Sequence, residues 1–321
     1  MSKPKVFISE AINQKGIDVL KGKVDFVFAP DTTKETAIKL IADCDAAILR
    51  ATTIFDAEVI NAAKKLKIIS RTGVGYNNVD LAAAGNKGIY VTITPGTNNT
   101  TVAEHVVAMV FAFAKQIQFM DRSVREQNWQ HRFSPFQMDI SGKTIGIVGL
   151  GAIGLEVAQK CKALGMKILG YDPYFKGDLN GKVTNDLNEI YQQSDFITLH
   201  CPAVAETKDM INAEALSKMK STTYLINSSR GDLVNENDLS EALKNNRIKG
   251  AAIDVFKNEP LAADHPFIEL ENIILSPHCA GSTIESNERI ATMAAEAVLD
   301  VLNGKQPKHI CNEKELKKIS V

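Results

Sequence analysis

Apolar residues along this chain gather in short runs, each followed by a polar turn and then by a stretch in which apolar positions recur at helical spacing. The runs at 6–9, 24–28, 46–49, 68–71 and 90–92 read as strands, and residues 14–20, 34–42 and 57–63 as helices. Strands that alternate with helices imply a parallel sheet with crossover helices. A turn-rich break at 95–101 follows. There Thr101-Val102-Ala103-Glu104 has the form of a capping box, which predicts one long apolar helix from 101 to about 125. From 142 to about 282 the alternation resumes, with six strand-like runs at 144–148, 167–171, 196–199, 223–227, 251–254 and 273–275. A helical pattern over 286–302 then leads back toward the first unit.

One of these runs ends in chemistry. Gly149-Leu150-Gly151-Ala152-Ile153-Gly154 follows the strand at 144–148 and opens a helix, giving G-x-G-x-x-G in the strand-turn-helix setting that binds a dinucleotide. Gly149 allows the sharp turn, Gly151 lets a pyrophosphate approach the backbone, and Gly154 lets helix and strand pack closely. The helix starting near Ala152 and Ile153 turns its free N–H groups and positive dipole end toward the phosphates. The next strand ends in Asp172, 18 residues beyond Gly154, where a carboxylate accepts both ribose hydroxyls and repels a 2′-phosphate. The expected cofactor is therefore NAD rather than NADP.

A length of 321 residues suits two domains better than one core. The pattern divides them into a discontinuous substrate domain, residues 1–100 with 288–321, and an NAD-binding domain, residues 101–287. The expected fold class is α/β: two Rossmann-like, doubly wound parallel sheets with an active-site cleft between them. Net charge is −1, so no global field recommends nucleic acid or an anionic membrane as partner, and small anions must be held by local charges. The N-terminus enters a strand without the apolar core of a signal peptide, no run approaches 18 apolar residues, and a cytoplasmic protein is expected. Cys44, Cys161, Cys201, Cys279 and Cys311 are scattered without C-x-x-C spacing, which argues against a disulfide frame and a zinc site; no metal is expected.

Polar residues just past strands are the candidate site, because ligands of open α/β sheets bind outside the carboxyl ends of the strands. Arg230 follows one strand and suits a bidentate grip on a carboxylate. Glu259 and His278 follow two others, and a histidine beside an anion is a poised proton donor. In the first unit, Arg71-Thr72-Gly73-Val74-Gly75 supplies a turn whose backbone N–H groups can hold a carboxylate, and Arg50 has the same strand-end placement as Arg71.

Taken together these motifs resemble the NAD-dependent D-2-hydroxyacid dehydrogenases, most closely the branch of D-3-phosphoglycerate dehydrogenases. The resemblance is carried by Arg71-Thr72-Gly73-Val74-Gly75, Thr101-Val102-Ala103-Glu104-His105, the glycine turn, Tyr171-Asp172-Pro173, Ser229-Arg230-Gly231, Ala252-Ile253-Asp254-Val255-Phe256 with Glu259-Pro260, and Pro277-His278. It implies that His278 is the general acid/base, Glu259 its partner and Arg230 the substrate clamp. By the same resemblance Thr101, Cys201, Pro202, Ser229, Asp254 and Gly281 join the cofactor site with His278, Asp254 toward the nicotinamide amide. Val74, Gly75 and Asn98 join the substrate site, and Arg50, Arg71 and Arg132 turn toward a substrate phosphate. A homodimer or larger oligomer is implied, and so is a role in serine biosynthesis with 3-phosphoglycerate as substrate. Asn77, Ile93 and Cys279-Ala280 depart from the common pattern of that branch, so reduction of hydroxypyruvate or glyoxylate stays open. A non-catalytic NAD-sensing corepressor is the alternative of another class. With Val321 the last residue of the sequence, serine feedback through the regulatory C-terminal domain that some phosphoglycerate dehydrogenases carry is not expected.

Overall fold

The structure, a computed structural model, describes residues 2–133 and 137–316. The chain divides into two compact units, Met1–Asn98 with Ser282–Val321, and Asn99–Gly281.

The first unit is built on a five-stranded parallel sheet in the order β2-β1-β3-β4-β5, where β1 is Lys5–Ile8, β2 Asp25–Phe28, β3 Ala46–Leu49, β4 Ile68–Arg71 and β5 Tyr90–Thr92. Every residue of β3 is buried, as a continuous apolar run in a sheet covered on both faces should be, and so is every residue of β4, Ser70 and Arg71 included. One face packs Val6, Ile8, Ile48 and Ile68 against Ala294, Ala295 and Val298 of the returning helix Ile284–Leu302. That helix approaches closely because Gly16 faces it: a Cβ at Gly16 would stand 2.7 Å from the Ala291 carbonyl oxygen. The edge of β5 is closed by the chain's end. Asn312, wholly buried, accepts the Val91 N–H and donates to the Ile89 carbonyl, both at 2.9 Å, so β5 presents no bare edge there.

The second unit carries a seven-stranded sheet in the order β12-β11-β10-β9-β6-β7-β8, with every pairing parallel. Its strands are β6 Thr144–Val148, β7 Lys167–Tyr171, β8 Lys182–Thr184, β9 Phe196–Leu199, β10 Tyr224–Asn227, β11 Gly250–Ile253 and β12 Ile273–Leu275. The chain winds outward from β6 through β7 and β8, returns to β9 on the other side, and continues to β12, which places the switch point between β6 and β9. One face is covered by the helices Asn99–Ala114 and Ala152–Ala163 through Val106, Val110, Phe113, Val157 and Cys161. The other is covered by Ile190, Leu216, Leu239 and Leu243. Burial pushes the Cys44 thiol up to about 11 and the Cys161 thiol up to about 12, so both behave as small apolar groups. Among the described residues no helix is long and apolar enough to cross a membrane.

Two expectations are corrected. The second sheet has seven strands rather than six, because β8 is a three-residue edge strand whose first two residues are exposed and whose sequence carries no apolar run. The expected helix over 101–125 is two helices, Asn99–Ala114 and Ile117–Arg125, broken where Gln116 takes a left-handed conformation (φ 50°) and its side-chain amide donates to the Phe113 carbonyl at 2.8 Å. Thr101 therefore lies inside the first helix rather than capping it. The compact units divide at 98/99 and 281/282, with Ile284–Leu302 whole within the first.

Candidate active site

All strands of the second sheet run the same way and stay in register, with Val148 opposite Tyr171 and Leu199, Leu199 opposite Asn227, and Ile253 opposite both Asn227 and Leu275. The residues that follow these strand ends therefore share one edge of the sheet. That edge collects Gly149 after β6, Asp172 after β7, Cys201 after β9, Arg230 after β10, Asp254 after β11 and His278 after β12.

Gly149 has φ +96°, and a Cβ there would lie 2.6 Å from the Cys201 nitrogen. Gly151 caps the helix Ala152–Ala163 without a side-chain bond, and a Cβ built on it meets open space, so room is left above the first helical turn. A Cβ at Gly154 would overlap the Gly149 carbonyl oxygen. The three glycines thus serve turn, approach and packing, and the open space over Gly151 fits a pyrophosphate held by the N–H groups of Ala152 and Ile153. Asp172 accepts the Leu150 N–H through one oxygen and the Tyr174 N–H through the other, both at 2.9 Å, so it ties the glycine turn to the end of β7. Beside the turn, burial pushes the His200 imidazole down to about 4; it is neutral at neutral pH, with Nε2 3.0 Å from Thr198 Oγ1. Burial likewise pushes the Cys201 thiol up to about 11, while the Cys201 carbonyl accepts the Ser229 hydroxyl at 2.8 Å.

Arg230 stands on a braced turn. Asn227, wholly buried, donates to the Arg230 carbonyl at 2.8 Å and accepts the Ser229 N–H at 3.0 Å, and the Arg230 guanidinium donates to the Ser229 carbonyl at 2.7 Å. Asp254 is only 2% exposed, and its carboxylate accepts the Ser276 hydroxyl at 2.6 Å and the N–H groups of Cys279 and Ala280 at 2.9 Å. Its carbonyl accepts the His278 N–H at 2.8 Å. The loop is held so tightly that His278 adopts φ +50°, a conformation that sets its ring apart from the chain around it. His278 Nδ1 is 2.7 Å from Glu259 Oε2, and Glu259 Oε1 accepts the Phe256 N–H at 3.0 Å. With Nδ1–H donating to the carboxylate, Nε2 is the free ring nitrogen, and the side chain is 54% exposed. His105, on the helix Asn99–Ala114, faces the Asp254 charge; burial lowers its pKa and the anion opposes that shift. Thr101 is buried on the same helix, and Pro202 and Gly281 lie just beyond Cys201 and Ala280.

The first unit places Arg50 after β3, Arg71 at the last position of β4, and Val74 and Gly75 just beyond it. Gly73 (φ +123°) donates to Thr94 Oγ1 at 2.8 Å, and among the described residues none accepts the N–H of Val74 or Gly75. Asn78 knits the turns together: it accepts Arg71 Nε at 3.0 Å and donates to the carbonyls of Arg50 and Thr53 at 2.9 and 2.8 Å. Arg71 is 8% exposed and also donates to the Thr72 carbonyl, whereas Arg50 is exposed with one guanidinium nitrogen on the Ala11 carbonyl at 2.9 Å. Asn98 has a buried side-chain oxygen without a hydrogen-bond partner. Arg132, in the second unit, lies over the Phe133 ring at 4.4 Å in the short helix Trp129–Phe133. The sequence reading missed Asn78, Asn227 and the bracket made by Asp254. Only Asp254 carried a local signal, its place after an apolar strand.

A proton donor and acceptor beside a cradle for a dinucleotide phosphate, on the carboxyl edge of a doubly wound sheet, define a nucleotide-dependent α/β oxidoreductase. The family model of the D-isomer specific 2-hydroxyacid dehydrogenase NAD binding domain matches residues 107–280. The chain belongs to that family and carries its NAD-binding domain. It is 38% identical over 324 residues to a glyoxylate reductase of Korarchaeum cryptofilum, covering 98% of each chain. It is 41% identical over 303 residues to a D-3-phosphoglycerate dehydrogenase of Synechocystis, covering 94% of this chain and 54% of that one. Among solved structures it is similar to a protein of Thermus thermophilus with TM-score 0.90 and 31% identity, covering 96% of this chain and 99% of that one.

Proposed function

We infer that the protein interconverts a short D-2-hydroxy acid and its 2-keto acid. The observation that carries this reading is the 2.7 Å contact between His278 and Glu259 on the edge that holds the glycine turn. NAD bound at that turn supplies the hydride acceptor or donor. In the oxidative direction the C2–H bond breaks with its electron pair leaving as hydride, the hydroxyl proton passes to His278 Nε2, and the C2–O bond becomes a carbonyl. Glu259 steadies the imidazolium that results. Arg230 binds the substrate carboxylate, and the N–H groups of Val74 and Gly75 suit an anionic oxygen of the same class. Asp172 serves the adenosine ribose while holding the glycine turn.

Of the substrates the motifs suggest, unphosphorylated acids such as glyoxylate or hydroxypyruvate come first. Arg71 is 8% exposed and donates to Asn78 and to the Thr72 carbonyl, which draws it inward and leaves exposed Arg50 as the cation of these first-unit turns that faces solvent; the match to a glyoxylate reductase over 98% of each chain supports the same order. The second reading, 3-phosphohydroxypyruvate, is favoured by the 41% identity to the phosphoglycerate dehydrogenase. An NADH absorbance assay over glyoxylate, hydroxypyruvate and 3-phosphohydroxypyruvate separates them. The expected kcat/KM for the phosphorylated acid is no higher than for hydroxypyruvate; a preference of about tenfold or more for it, roughly 1.4 kcal/mol, replaces the first reading with the second. Self-association is supported by Ile117, Val124, Trp129 and Phe133, apolar side chains between 48% and 70% exposed on neighbouring helices, and sedimentation equilibrium is expected to give a dimer.

A further inference from the structure

Arg230 and Glu259 follow different strands, yet their loops share backbone. A Cβ at Gly231 would overlap the carbonyl group of Phe256, so the turn after Arg230 lies directly on the loop that carries Glu259. The Lys257 N–H donates to Glu236 Oε1 at 3.0 Å, and the Lys257 ammonium pairs with Asp209 at 2.6 Å. The Asp209 N–H in turn donates to the carbonyl of Asp232, the residue after Gly231, at 2.8 Å. Glu236 is the first residue of the helix Glu236–Lys244, where the helix terminus favours a carboxylate. Its second oxygen lies 3.4 Å from His265 Nε2, and the two side chains are 15% and 16% exposed. His265 Nδ1 accepts the Phe267 N–H at 3.3 Å, which leaves the ring proton on Nε2, facing Glu236. One carboxylate therefore binds the Lys257 end of the segment 257–265 and stands 3.4 Å from His265 at the other, and Glu259 sits inside that segment.

We propose that Glu236 is a positioning residue for the acid–base pair: by holding Lys257 and His265 it fixes the loop that aims Glu259 at His278. The proposal rests on the roles given above to Glu259 and His278. The charged groups around the loop are Asp209, Asp232, Glu236 and Lys257, with the titratable His265 at its far end and Asp254 beneath the His278 turn. Glu236 reaches the reaction only through Glu259. When it is removed, the Lys257 N–H turns to water, the segment gains freedom, and the short contact to Nδ1 becomes intermittent.

The test compares Glu236→Ala, Glu236→Gln and His278→Ala in the full chain, reading kcat, KM, NADH affinity, the pH–rate profile and the downfield proton resonance of His278 Nδ1–H. Glu236→Ala is expected to lower kcat about tenfold, a part of what a placed proton donor supplies, with KM for the keto acid and NADH affinity within about twofold. Its Nδ1–H resonance broadens or moves upfield, and its pH–rate profile departs from that of the parent. Glu236→Gln keeps an oxygen for the Lys257 N–H and is expected to recover most of kcat, the profile and the resonance. A Glu236→Ala protein that loses thermal stability but keeps the wild-type profile and resonance overturns the proposal, and so does a Gln variant as impaired as the Ala variant. If His278→Ala itself turns over near normally, the acid–base reading falls and takes this one with it. If His278→Ala is inactive while Glu236→Ala is unchanged, only the positioning role falls.

Discussion

Replacing His278 with alanine is expected to lower kcat about 10²- to 10⁴-fold in both directions while NADH affinity stays within about twofold. The size follows from what the imidazole alone does: it takes or gives the proton at the oxygen of C2 as that oxygen gains or loses carbonyl character, and water at the exposed edge replaces it poorly. Cofactor affinity is spared because the contacts that shape the glycine turn, from Tyr171, Asp172 and the backbone at Cys201, do not involve His278. Glu259→Gln separates proton transfer from shape. It keeps the hydrogen-bonding outline near Nδ1 but removes the counter-charge of the imidazolium formed during proton transfer, so the pH–rate profile of keto-acid reduction is expected to change. Stopped-flow measurement of NADH oxidation against pH checks both variants. Near-normal turnover in His278→Ala, or a superimposable profile in Glu259→Gln, removes the assigned roles.

Much of the fold was legible because the physics behind it is local. A strand such as β3 is buried on both faces and appears as an unbroken apolar run, and the glycine turn announces itself through the residue type that its conformation and close approaches demand. What was not legible depended on neighbours distant in sequence. β8 pairs with β7 through backbone bonds that place no apolar demand on Lys182 and Val183. Gln116 breaks a helix whose apolar pattern continues on either side, because its side chain satisfies a carbonyl at the break. The strand-end residues could be named from their positions alone, since a parallel sheet brings all its carboxyl ends to one edge. Their orientation could not. Arg71 is the clearest case: its placement suggested a cation offered to a phosphate, and the turn it braces through Asn78 draws the guanidinium inward. Asp254 makes the same point from the other side, since a residue expected to face nicotinamide spends its carboxylate on Ser276, Cys279 and Ala280 and thereby sets the backbone from which His278 projects.

Gly149 and Gly151, on the same turn with only Leu150 between them, are expected to fail in different ways, and the contrast tests whether the turn is a phosphate cradle or only a fold element. Gly149→Ala puts a side chain on a residue with φ +96° and drives it to 2.6 Å from the Cys201 nitrogen and the His200 carbonyl carbon, which are backbone atoms of β9's end and cannot step aside. Backbone strain of about 1–2 kcal/mol adds to an overpacking cost of about 1–3 kcal/mol, so the melting transition is expected to fall by roughly 5 to 15 °C and NAD binding to go with it. At Gly151 the φ/ψ are extended and the added methyl meets no protein atom, so Gly151→Ala is expected to melt like the parent. The same methyl occupies the space through which a pyrophosphate reaches the N–H groups of Ala152 and Ile153, and KM for NAD is expected to rise on the order of tenfold or more. Calorimetry paired with NADH fluorescence titration reads both quantities on each variant. A Gly151→Ala protein that binds NADH as tightly as the parent means that the pyrophosphate does not approach through that gap, and the residues above the helix terminus then lose their place in the cofactor site.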